Sequence, residues 1–96
     1  MKEFDLKERT KRFALRIIKL YTLLPKTGEA QVIGKQVLRS GTSVGAQYRE
    51  ACRSRSNSEF VSKMQSSFQE LDETAYWLEL LVEGSIVKAE KLDVIT

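Results

Sequence analysis

LRSGTSVGAQYREACR, residues 38–53, carries two glycines and three aliphatic hydroxyls inside a stretch whose apolar residues recur at helical spacing. Glycine in a helix interior costs roughly 0.5–1 kcal/mol against alanine, and Ser and Thr side chains compete for backbone hydrogen bonds, so local propensity does not favour helix here. Close packing is the compensation the pattern implies. Gly41 and Gly45, one turn apart, admit a second helix at short range, and Ser40, Ser43, Gln47 and Glu50 line a neighbouring polar stripe.

Outward from this segment, the spacing predicts a helix from about Glu29 to Arg53, opening at Thr27 or Gly28. Ile33, Val37, Gly41, Val44, Tyr48 and Ala51 form its core face. Lys35, Arg39, Arg49 and Arg53 fall on a basic stripe, and Gln36, Ser40, Ser43, Gln47, Glu50 and Ser54 on a polar one. Before it, a helix from about Leu6 to Leu24 is capped by Asp5 and stopped by Pro25, which disfavours helix just ahead of it. Its core face is Leu6, Phe13, Ile17, Leu20 and Leu24, and its basic stripe Arg9, Arg12, Arg16 and Lys19. Leu15 and Ile18 lie off the core face, where a second helix or another chain would meet them.

A third helix opens with Asn57 or Ser58 as its cap, runs to about Val82 and ends at Gly84. Phe60, Met64, Phe68, Leu71, Ala75, Leu78 and Val82, at alternating steps of three and four, are its expected core. Ile86 to Thr96 reads as the start of a fourth helix, short or truncated. The expected fold is therefore all-α: one domain over residues 1–96, an antiparallel up-down four-helix bundle.

The chain has 42% hydrophobic and 30% charged residues, which describes a globular protein rather than a disordered one. No stretch has the apolar length of a membrane span, and MKEFDLKERTKRF lacks a signal core, so no membrane association and a cytoplasmic location are expected. Cys52 is the one cysteine; it excludes an internal disulfide and reads as a small buried helix residue. A domain of this size buries roughly 60–65% of its unfolded surface, so self-association would add needed burial. The formal charge of +3 hides a polarity. Residues 1–56 hold 13 Lys and Arg against 5 Asp and Glu, and residues 57–96 hold 3 against 8. Part of that opposition serves the fold or pairs neighbouring subunits.

With no histidine and one cysteine, the common zinc sites, Cys-His pairs and Ser-His-Asp triads have no residues to build them. Glu70-Leu71-Asp72-Glu73 lacks the histidine of a di-metal bundle site, so no metal and no cofactor are expected. Glu70 and Glu73 read as salt-bridge partners of Arg39 or Arg49 rather than as an acid–base pair, and the chain is not expected to be an enzyme. Gly41 to Gly45 has the glycine spacing of a phosphate loop without its lysine, and is a packing motif. What remains is basicity. Arg9, Arg12, Arg16, Lys19, Lys35, Arg39, Arg49 and Arg53 are the candidate phosphate contacts for RNA or DNA, and such binding would be salt-sensitive and indifferent to sequence.

LRSGTSVGAQYREA at 38–51, RSRSNSEFVSKM at 53–64 and ELDETAYWLELL at 70–81 resemble the small bacterial proteins named for 23S ribosomal RNA intervening sequences, along nearly the whole chain. The family name records where such genes were noticed; function is unassigned. The resemblance implies a bundle that assembles as a ring, typically a homopentamer. It also implies a relative that is accessory to diversity-generating reverse transcriptases and whose basic surface points to nucleic acid. Arg39, Ser40, Ser43, Glu50, Phe60, Glu73 and Trp77 match the family's motif positions, while Gln47 stands where asparagine is usual. With Gly41 and Gly45, the residues Ser40, Ser43, Gln47, Glu50, Glu73 and Trp77 are the expected helix or subunit contacts. The alternative function is a protein-interaction adaptor that docks a polymerase or another partner by its polarised charge.

Overall fold

The computed structural model describes residues 5–90. They form three helices, α1 (Leu6–Thr22), α2 (Gly28–Cys52) and α3 (Asn57–Glu83). The Asp5 carboxylate accepts from Glu8 N at 3.2 Å and opens α1, which ends two residues earlier than expected, with Leu23 as its C-cap. The connection to α2 is tied by Gln31. Its amide donates to the Pro25 carbonyl at 2.8 Å, and its Oε1 accepts from the Tyr21 hydroxyl at 3.1 Å. Ser56, not Asn57 or Ser58, caps α3: its hydroxyl accepts from Glu59 N, while Glu59 Oε1 accepts from Arg55 N. Gly84 ends α3. A side chain there would press on the Leu80 carbonyl at 2.8 Å, and Ser85, at φ 61°, then reverses the chain.

α2 is the central element, packed antiparallel against α1 on one side and α3 on the other. Glycines set the approach of α1. A Cβ on Gly41 would lie 2.8 Å from Ile17 Cγ1, one on Gly45 3.0 Å from Thr10 Oγ1, and one on Gly34 2.5 Å from Leu24 Cδ1. Ile17, Leu20, Leu24, Val37 and Leu81 make the buried cluster, with Phe13, Tyr21, Ile33, Trp77, Ile86 and Val87 against it.

The α2–α3 seam is polar. Ser40, Ser67 and Thr74 are buried: the Thr74 hydroxyl lies 2.8 Å from Ser40 Oγ, and Ser67 donates to the Val44 carbonyl at 2.8 Å. Small hydroxyl side chains let two helices approach while satisfying each other, so burial here costs little.

The expected core of α3 holds only in part: Leu78 packs on the buried cluster and Met64 and Val82 are half-buried, but Phe60, Phe68, Leu71 and Ala75 are exposed, because α3 turns Ser67, Thr74 and Leu81 toward α2. Cys52 is exposed as well. The fourth helix is not seen among the described residues. From Ile86 the chain doubles back, its Ile86 and Val87 amides donating to the Leu81 carbonyl, and residues 91–96 lie outside the described part. No helix of the described chain is long and apolar enough to cross a membrane.

Candidate nucleic-acid interface

Antiparallel pairing sets the first turns of α1 beside the last turns of α2. Lys7, Arg49 and Arg53 line a concavity of about 80 Å³ there, with Cys52 at its edge. One turn along α1, Lys11 and Arg49 border a second, open groove of about 280 Å³ floored by Thr10, Ala14, Thr42, Gly45 and Ala46. Among the described residues, no carboxylate lines either hollow. Glu8, on the adjoining turn, pairs with Lys11 at 3.6 Å and Arg12 at 3.2 Å, exposed contacts that hold these cations only weakly.

The sequence-derived cations are thus not one patch. Arg49 and Arg53 converge with Lys7, which sequence reasoning missed, as it missed Lys11; their i,i+4 spacing on the N-terminal turns of α1 was the available signal. Arg9 and Arg12 stand on the same half of α1. Arg16, Lys19 and Lys35 are exposed toward the opposite end: Lys35 stands 14 residues from Arg49, about 21 Å along a helix. Arg39 belongs elsewhere. Its guanidinium donates to Glu70 at 3.3 Å and to Glu73 across the α2–α3 seam, so both carboxylates of the candidate acid–base pair are engaged in an ion pair.

The motif residues divide between seam and surface. Ser40 and Gly41 are buried, in contact with α3 and α1 respectively, and Gly45 seats Thr10. Ser43 donates to the Arg39 carbonyl of its own helix at 2.7 Å. The Gln47 Oε1 is buried without a hydrogen-bond partner among the described residues. Glu50 accepts from Lys63 of α3 at 2.6 Å, which holds the Lys63 ammonium above its ordinary pKa. The half-buried Trp77 donates its indole N–H to Glu73 at 3.5 Å and stacks obliquely on Tyr76, ring centroids 5.2 Å apart. Near the basic hollow, contact with the Cys52 thiol and partial burial raise the pKa of the Tyr48 phenol.

Known proteins resemble this chain in sequence and fold. The family model described as 23S rRNA-intervening sequence protein matches residues 2–96. A crystal structure of a protein of unknown function from the S23 ribosomal protein family of Bacteroides thetaiotaomicron is 40% identical, superposes with a TM-score of 0.84, and is matched over 93% of this chain and 82% of that one. No curated protein matches.

Proposed function

Since the chain belongs to the 23S rRNA-intervening sequence protein family, we propose that it is a non-enzymatic, homo-oligomeric helical protein. Its role in this reading is to hold structured RNA or DNA by the phosphates, at the basic end where α1 begins and α2 finishes. The observation that carries the reading is the convergence of Lys7, Lys11, Arg49 and Arg53 from two antiparallel helices on hollows that no described carboxylate lines. Cations so placed attract a phosphodiester and release its counterions, which gives affinity without base readout. Arg9, two residues from both Lys7 and Lys11, stands on another side of α1, and Arg12 is paired with Glu8. Arg39 is not part of the basic end, because Glu70 and Glu73 already neutralise it.

Self-association strengthens the reading. One such end offers few phosphate contacts, whereas several copies in a closed assembly, five in the form the resemblance implies, present that many ends to one folded nucleic acid and raise avidity without new contacts. Titration of purified protein into labelled structured RNA and duplex DNA across a salt series, read by anisotropy, tests it. Micromolar or tighter binding that weakens steeply with salt is the expected result. Absence of binding even at low salt would overturn it and favour the adaptor that docks a protein partner.

A further inference from the structure

Although Leu78 and Leu81 of α3 pack on the core, a second set of its large apolar side chains is left outside. Phe60, Phe68 and Leu71 are 42%, 59% and 42% exposed. The stripe continues through Ala75 to Val82, where an open groove of about 360 Å³ runs between α3 and Ala89. One edge of this stripe is acidic: Asp72, Glu79 and Glu83 are exposed at spacings of seven and four, so they fall in one line beside it. Contiguous apolar surface of this kind marks an interaction site.

A second apolar strip lies on α1. Leu15 and Ile18, three residues apart, are 57% and 42% exposed and face away from Gly41 and Gly45. Arg12 stands one turn before Leu15 and Lys19 one turn after it, both exposed, so this strip has a basic rim.

We propose that the α3 stripe is occupied by a second copy of this chain, which seats its Leu15–Ile18 strip there with Arg12 and Lys19 against Asp72 and Glu79. Charge complementarity selects this occupant. Pairing α3 with α3 sets acid rim on acid rim, and pairing α1 with α1 sets basic on basic, whereas α1 on α3 joins apolar surface to apolar surface with opposite rims. The contact is heterologous, so each copy keeps one face of each kind free and successive copies close into a ring or extend as a filament. It uses none of Lys7, Arg49 and Arg53, and leaves the basic ends open. The inference rests on the self-association in the proposed function and names its surface.

Two variants test it: Leu15→Asp with Ile18→Asp, and Phe68→Asp with Leu71→Asp, all at exposed positions, with helical circular dichroism as the folding control. In sedimentation velocity the wild type forms species of several copies, each variant alone is a monomer, and an equimolar mixture forms a one-to-one dimer that grows no further. A monomeric wild type, a variant that still assembles alone, or a mixture that stays monomeric overturns the inference. Should an aspartate variant not fold, Arg12→Glu with Lys19→Glu abolishes assembly, and adding Asp72→Lys with Glu79→Lys restores it; failure of either effect overturns the inference equally. Assembly without nucleic-acid binding would refute the phosphate reading alone.

Discussion

Replacing Gly41 by alanine probes how closely α1 sits on α2. The added methyl would lie 2.8 and 2.9 Å from Ile17 Cγ1 and Cγ2 and 3.2 Å from its Cβ, too close to survive without movement. Ile17 is fully buried and β-branched, so it has neither room nor a second comfortable rotamer to yield into. Overpacking of this kind costs about 1–3 kcal/mol, while the exchange of glycine for alanine in a helix interior returns about 0.5–1 kcal/mol. The net destabilisation is about 1 kcal/mol, which lowers the melting temperature of a domain this size by roughly 4–8 °C. Thermal unfolding followed by helical circular dichroism measures it, with Gly28→Ala as control, since nothing lies within 4 Å of that position. Gly34→Ala should destabilise as well, because its methyl would meet the buried Leu24 at 2.5 Å and the Tyr21 ring at 3.2 and 3.3 Å. A Gly41→Ala protein as stable as the wild type would refute the close approach of α1.

The hydroxyl seam gives a second prediction: Ser67→Ala removes the bond that side chain makes to the Val44 carbonyl and should cost about 0.5–1.5 kcal/mol by urea unfolding, with an unchanged m value. A third concerns alkaline pH. Because the Lys63 pKa is raised by Glu50, its stabilisation is complete below the ordinary lysine value and disappears as the pH rises through the raised one. Glu50→Gln should therefore lie below the wild type in melting temperature at neutral pH and converge with it in that alkaline window; an offset that stays constant to high pH would contradict the pairing. Fourth, the exposed Cys52 thiol should react with a thiol reagent in the folded state at one equivalent per chain, whereas a buried cysteine would react only on unfolding.

What the sequence revealed follows from which forces leave a periodic trace. Helix ends were legible because Asp5, Pro25 and Gly84 act locally, through a cap, a steric block and a turn. The glycines of 38–53 were legible as a close-approach surface because a missing side chain in a helix needs a neighbour to justify it. The orientation of α3 was not. Its apolar heptads announce a face that needs covering without saying by what, and the pairing of Thr74 with Ser40, which decides what faces α2, carries no hydrophobic signal at all. The same blindness placed Cys52 inside. Arg39 was legible in two ways, as a phosphate contact and as an ion-pair partner of Glu70 and Glu73, and the structure forms the second: both carboxylates, some thirty residues away, meet its guanidinium across the α2–α3 seam.

The claim that the α1–α2 end holds phosphate is tested most directly by the salt dependence of binding to one duplex DNA, compared between the wild type and a Lys7→Ala, Arg49→Ala, Arg53→Ala variant. The variant should bind more weakly, with a slope of log K against log salt shallower by about 0.9 for each phosphate it no longer neutralises and with helical content and sedimentation unchanged. Equal affinity and equal slope in the two proteins would contradict it.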